Sequence, residues 1–288
     1  MLLRDHIEGA IMSNDRIKSV SPSVGRAPQE EPWVPDAGSN TALMMSGPPH
    51  SGRLTRHGES TDMAIPERND LLSLGEPRFS KLPRHVGLIP DGNRRWARER
   101  GLPVAEGYNI GVCKGLQMLQ DCCDLGIEEV SLYGFTQDNT KRPKEQRIAF
   151  TRACVAFVEA ALDLGVALLV VGNSASPMFP DELKPFAKER HGQGLKVNML
   201  VNYGWEWDLQ TALESGKKRT LDGLASCQVS RIDMIIRWGG CRRLSGFLPI
   251  QSVYADFYVV NDYWPDYEYN QFLEALAWYQ TQDPTLGG

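Results

Sequence analysis

The sequence predicts an α/β fold, with a mainly parallel six-stranded sheet flanked by helices in a single domain over residues 81–288. Two observations predict it. From Leu82 onward, apolar runs of strand length alternate with longer stretches whose apolar residues recur at helical spacing. Alternation of that kind over about 200 residues gives parallel strands joined by helical crossovers. Residues 1–80 differ: they are rich in Pro, Gly and Ser, show neither period, and are expected to form a disordered or loosely attached tail, with Met63 a candidate alternative start.

The elements follow in order. HVGLIP (85–90) reads as a short buried strand. Val112, Leu116, Leu119 and Cys123 then share one face of a helix, with Gly126 just past its end. EEVSLYGF (128–135) is the second strand, and Phe150, Cys154, Phe157, Ala161 and Leu164 mark a long amphipathic helix. VALLVVG (166–172) is a strand, PDELKPFAKER (180–190) a helix, and KVNMLVNY (196–203) a strand again. A short helix is expected around 209–213. IDMIIR (232–237) and ADFYVV (255–260) complete the strands, and a helix over 269–280 closes the chain.

Composition narrows the function. Hydrophobic residues make up 42% of the chain and the net charge is −5, so a polyanion-binding surface over the whole molecule is excluded and any basic site is local. Nucleic acid is therefore not an expected partner. No apolar run approaches the roughly 18–20 residues of a transmembrane segment, and the N-terminus carries acids where a signal peptide carries bases. A cytoplasmic protein is expected. Six cysteines without CxxC and five histidines without HExxH argue against a zinc site and for reduced thiols; the Cys122-Cys123 pair reads as core filling.

Open α/β sheets bind ligands at the C-terminal ends of their strands. Three such ends here carry Asp91-Gly92-Asn93-Arg94-Arg95-Trp96, then Thr136 to Pro143 with Asp138, Asn139 and Arg142, then Arg237 to Ser245 with Arg243. Each alone is ordinary turn chemistry. Together they concentrate arginines, which match phosphate oxygens bidentately, beside small residues that let backbone N–H groups approach a ligand. A phosphorylated substrate follows, with Asp91 as a Mg²⁺ ligand, because Mg²⁺ is commonly held by one or two carboxylates plus phosphate oxygens.

The segments HVGLIPDGNRRWA, YGFTQDNTKRP and DMIIRWGGCRRLSGFLPIQSVYADFY together resemble the cis-prenyltransferase family, best known for undecaprenyl diphosphate synthases, from about Pro83 to the C-terminus. The resemblance implies a homodimer with a hydrophobic tunnel between sheet and helices, and a Mg²⁺-dependent condensation of isopentenyl diphosphate with an allylic prenyl diphosphate. Carried over by position, Asp91 handles the metal and the allylic diphosphate. Gly92, Asn93, Arg94 and Arg95 form the cradle, with Trp96 adjoining. Asn139 assists proton removal near Arg142 and Asp138. Arg237, Arg243 and Ser245 grip the isopentenyl diphosphate, and Asp256 stands where the family has a metal-binding glutamate.

Departures from the family pattern are concentrated at substrate positions. Val104 and Tyr108 replace an arginine and a histidine that serve the allylic diphosphate, and Thr136 and Thr140 replace a serine and a tryptophan. Trp205 and Glu206 interrupt a Gly-Gly-Arg run, while Trp238 and Cys241 replace a threonine and a glutamate. Thr285-Leu286-Gly287 lacks the usual C-terminal arginine. The helix after Pro143 is about one turn short, and about a dozen residues are missing before Ile232. These changes point to a short-chain synthase. Irregular lavandulyl-type coupling, cyclisation, long-chain synthesis, diphosphate hydrolysis and an accessory-subunit role are the alternatives.

Overall fold

The computed structural model describes residues 79–283. The expected tail (1–80) lies outside the described residues but for its last two, as do Thr285, Leu286 and Gly287. Six parallel strands form one sheet in the order β3-β4-β2-β1-β5-β6. They are β1 (His85–Ile89), β2 (Glu129–Tyr133), β3 (Ala167–Val171), β4 (Lys196–Leu200), β5 (Met234–Arg237) and β6 (Asp256–Val259). The helices are α1 (Asn93–Glu99), α2 (Val104–Asp124), α3 (Lys144–Asp163), α4 (Trp205–Glu214) and α5 (Tyr269–Gln280).

Strand alternation sorts the core into two layers. Val86 and Leu88 of β1, Val130 and Leu132 of β2, and Met234 and Ile236 of β5 point to one face, where α2, α3 and α5 cover them with Leu119, Phe157 and Phe272. Ile89, Leu169, Leu200 and Ile235 point to the other, where Tyr203, Phe247 and Leu248 pack. The two layers leave the C-terminal ends of β1, β2 and β5 open as a rim.

Two expectations need correction. Residues 180–190 form only a short 3₁₀ turn, Asp181–Phe186, because Pro180 precedes it and Pro185 sits inside it, removing a donor an α-helix requires. On α2 the buried thiol is Cys122, whereas Cys123, placed on the apolar face by its spacing, is exposed. Cys122, Cys123, Cys154, Cys227 and Cys241 are unbridged thiols.

Candidate active site

β1 ends in a tight turn in which the Asp91 N–H donates to the Ile89 carbonyl at 2.9 Å. Gly92 follows at φ 105°, and a Cβ there would stand 2.5 Å from Tyr263 Cδ1, so only glycine fits. This turn presents the Asp91 carboxylate at the rim, where its Oδ1 accepts the Gly92 N–H at 2.7 Å. β5 lies beside β1 with Arg237 in register with Ile89. Arg237 Nη2 therefore reaches Asp91 Oδ2 at 2.7 Å, while Nη1 donates to Ser245 Oγ at 2.8 Å and to the Arg243 carbonyl. Arg95, on the first turn of α1, approaches Asp91 Oδ1 at 3.4 Å. Burial pushes the Asp91 carboxyl upward, but the hydrogen bond and charge of Arg237, with Arg95 and the Gly92 amide, outweigh it and hold the group below its ordinary value.

The third rim segment follows β2. Thr136 caps the 3₁₀ turn Gln137–Lys141: its hydroxyl accepts the Asn139 N–H, and Asn139 Oδ1 accepts the Thr136 N–H in return at 3.1 Å. Arg142 then donates to the Tyr108 hydroxyl at 3.2 Å, and the Tyr108 ring stacks on Phe150 at 4.7 Å. Burial lowers the Arg142 pKa and raises that of Tyr108, and each opposes the other's shift.

These groups surround a cavity of about 340 Å³. Its walls carry Asp91 to Arg95 from β1 and α1, Tyr108 from α2, Thr136, Asp138, Asn139 and Arg142 from the third segment, and Arg237 and Ser245 from the second. Five arginines line it (Arg94, Arg95, Arg98, Arg142 and Arg237) against two carboxylates. Asp91 is shared by Arg95 and Arg237, and Asp138 is paired with Lys141 at 2.9 Å. Arg94, Arg98 and Arg142 therefore have no carboxylate within ion-pairing distance among the described residues, in a space that suits a multiply charged anion. The Nε of Arg237 and the Oδ1 of Asn93 are buried there without a hydrogen-bond partner among the described residues. A second, apolar cavity of about 60 Å³ shares Pro90, Asn93, Tyr108, Tyr133, Gly134 and Phe150 with the first and runs on to Cys154, Phe157 and Met199.

The donor set fits magnesium in one particular way. No group of three or more His, Cys, Asp or Glu that could hold a metal occurs among the described residues. Asp91, with its side chain about one-third exposed to the arginine-lined space, is a lone carboxylate that suits an ion taking its other ligands from phosphate oxygens and water.

A family model described as undecaprenyl diphosphate synthase matches residues 89–287. The chain belongs to this family of prenyltransferases. Isoprenyl transferases from Leptospira interrogans and Thermus thermophilus are 30% and 31% identical to it, over 73% and 74% of this chain and 96% and 92% of their own. A chloroplastic (2Z,6Z)-farnesyl diphosphate synthase from Solanum lycopersicum is 29% identical over 72% of this chain and 80% of its own. The crystal structure of lavandulyl diphosphate synthase from Lavandula x intermedia in complex with dimethylallyl diphosphate has the same fold. Its TM-score is 0.64 at 24% identity, covering 72% of this chain and 98% of that one.

Three residues expected at the enzyme's site lie away from the cavity wall. Trp96 is buried and donates its indole N–H to Asp266 at 2.6 Å, so it anchors α1. Arg243 contributes its backbone carbonyl to Arg237. Asp256 lies apart from Asp91: it opens β6, in register with Met234, whereas Val259 pairs with Arg237 at the rim. Three residues of strand put it about 10 Å below that rim. Its N–H donates to the Asp233 carbonyl at 3.0 Å, at the end of the sheet where β1 begins, so within this chain it cannot share an ion with Asp91. Burial raises its carboxyl pKa against the charge of Lys81. Conversely, Arg98, Tyr133 and Phe150 line the cavity without having been singled out. The signal for Arg98 was its i,i+4 spacing from Arg94 on α1. Trp238, an unusual residue for the family, is fully buried against Trp264 and Tyr267 and donates to Gln271, a core role.

Proposed function

We propose that the enzyme condenses isopentenyl diphosphate with an allylic prenyl diphosphate to give a short-chain prenyl diphosphate. One observation carries the reading: a strongly cationic cavity opens through a shared wall onto an apolar cavity of only about 60 Å³. That volume is under half of the ~150 Å³ that accommodates a six-carbon ring, so a long chain finds little room in it. The two cavities would form the mouth and the apolar part of the family's tunnel.

Arg94, Arg95, Arg98 and Arg142 bind the allylic diphosphate and take up the charge that gathers on it as the carbon–oxygen bond breaks. Asp91 would hold Mg²⁺, which supplies further neutralisation of that leaving group when bound. Arg237 and Ser245 hold the second diphosphate, with Arg243 at the turn's start, and so fix the isopentenyl double bond beside the cationic carbon. Its electrons form the new carbon–carbon bond as pyrophosphate leaves, and a proton then passes from the adjoining carbon to a released phosphate oxygen or to water, restoring an alkene. The Asn139 amide, oriented by its cap on Thr136, is the side chain assigned to assist that departure. The unbridged thiols suit a cytoplasmic setting. Val253 and Tyr254, 62% and 61% exposed on one short segment, suit a homodimer contact.

The test is product analysis by mass spectrometry. Purified enzyme with Mg²⁺ is given dimethylallyl, geranyl or farnesyl diphosphate, each with and without isopentenyl diphosphate. Products lengthened by one or a few five-carbon units are expected. Absence of isopentenyl incorporation, or accumulation of long polyprenyl chains, would overturn the proposal.

A further inference from the structure

The turn that carries Ser245 adopts an unusual backbone. Ser245 and Leu248 have φ of 54° and 37°, with Gly246 at 76° between them, values that side-chain-bearing residues rarely adopt. Such a conformation persists only where its surroundings over-determine it. Four contacts do so here. Phe247 is fully buried on β1, so close that a Cβ on Gly87 would stand 2.6 Å from its ring. Arg237 donates to Ser245 Oγ and to the Arg243 carbonyl. The Tyr133 hydroxyl donates to the Ser245 carbonyl at 2.9 Å, and its ring packs against Phe247 at 5.2 Å. Finally, Trp205 at the start of α4 lies against Gly246, where a Cβ would stand 2.8 Å from Trp205 Cδ1.

Two of these contacts, one polar from Tyr133 and one apolar from Trp205, come from outside the turn's own strand. Tyr133 stands where the cationic and apolar cavities meet, and burial raises its phenol pKa, so it stays protonated as a donor. Trp205 is 47% exposed, a large apolar surface laid against Gly246. Neither side chain is explained by filling the core alone.

We propose that Tyr133 and Trp205 are positioning residues for the second diphosphate, holding the Ser245–Gly246 turn so that Ser245 Oγ and the Arg237 guanidinium meet the ligand in one geometry. Tyr133 acts through the Ser245 carbonyl, and Trp205 braces the next residue from the solvent side. The inference rests on the reading that Arg237 and Ser245 hold isopentenyl diphosphate. It further assigns these two side chains to that subsite and not to the allylic one.

Equilibrium binding separates the possibilities. Isopentenyl diphosphate and, in parallel, a slowly ionising dimethylallyl thiolodiphosphate are titrated into wild type, Tyr133→Phe and Trp205→Ala, with steady-state kinetics alongside. Tyr133→Phe keeps the ring and loses one hydrogen bond. The expected result is a rise of about 5- to 10-fold in Kd and KM for isopentenyl diphosphate. Affinity for the allylic analogue, kcat and the thermal midpoint should stay near wild type. Trp205→Ala should weaken the same ligand, and Trp205→Phe should restore most of the loss; this pair decides the matter if Tyr133→Phe does not fold. Equal binding of isopentenyl diphosphate by wild type and the variants, or equal weakening of both ligands, overturns the inference alone. A wild type that binds the allylic analogue but no isopentenyl diphosphate overturns the subsite reading and the inference with it.

Discussion

Arg237→Lys is the most searching single change, because Arg237 joins the two halves of the site. Its side chain is 5% exposed, and its guanidinium spans Asp91 Oδ2 at 2.7 Å, Ser245 Oγ at 2.8 Å and the Arg243 carbonyl. A lysine keeps the charge but replaces a planar fork with one point donor on a flexible stem, which can favour Asp91 or the turn but not both. One charge-assisted hydrogen bond is thus lost, about 1.5–3 kcal/mol. Asp91 is one-third exposed and can be rehydrated, which trims the upper end to about 2.5 kcal/mol. That corresponds to a fall of about 10- to 70-fold in kcat/KM. The assay is steady-state kinetics with each substrate varied at saturation of the other. Because the fork touches both subsites, KM should rise for both, unlike the one-sided effect expected of Tyr133→Phe. A lysine variant within twofold of wild type for both substrates would refute the bridging role.

Arg98→Ala removes a cavity-lining cation without a carboxylate partner, so kcat/KM for the allylic substrate should fall about 5- to 10-fold at low salt. The ratio to wild type should shrink at high ionic strength, which parallel assays at two salt concentrations will show. Phe157→Ala removes a ring that lines the apolar cavity and that packs 2.8 Å from the place a Cβ on Gly115 would occupy. Longer products should appear by mass spectrometry, together with a stability loss of about 3–5 kcal/mol by denaturant unfolding. Burial holds the His85 pKa below its ordinary value despite the nearby Glu129 carboxylate and Asp233, so the folded ring is neutral where the unfolded one protonates. Stability should therefore be full above about pH 6.5 and fall as pH drops from there towards the folded pKa; His85→Asn should flatten that limb in pH-dependent thermal unfolding.

Period and punctuation carried much of the architecture. The closing helix occupies Tyr269–Gln280 as its spacing predicts, and all six apolar runs are strands, trimmed where Ile232, Asp233 and Ala255 lie before the ladder. Local chemistry was less legible. Pro185 argued against an α-helix from within the predicted segment, yet its flanking charges suggested one. The position of Asp256 depends on which end of a strand a residue occupies, and the sheet register decides that through long-range pairing. Asn139 reads as a polar site residue, but its oxygen caps the turn that carries it, a reciprocal contact visible only once Thr136 is placed three residues before it in a 3₁₀ turn. Tyr133 ends an ordinary strand; its part in the site depends on a turn more than a hundred residues later in the chain.

The strand order explains how the two proposed diphosphate sites can meet at one carboxylate. From β1 the chain moves to one side of the sheet, through β2, β3 and β4, then crosses to the other side for β5 and β6. The loop after β1 and the loop after β5 therefore leave the rim in opposite directions, opening a crevice between adjacent strands, where α/β sheets bind ligands. Asp91 and Arg237 are the residues at that parting, Arg237 paired with Ile89 two residues before Asp91. Each loop brings its own lining: Asn93, Arg94 and Arg95 on one side, and the Ser245 turn on the other. An ion pair placed at the divide touches both groups of ligands without either loop having to cross the sheet. Moving the acid to the start of a strand, as with Asp256, would sever that connection within the chain, whereas the pairing of β1 with β5 secures it.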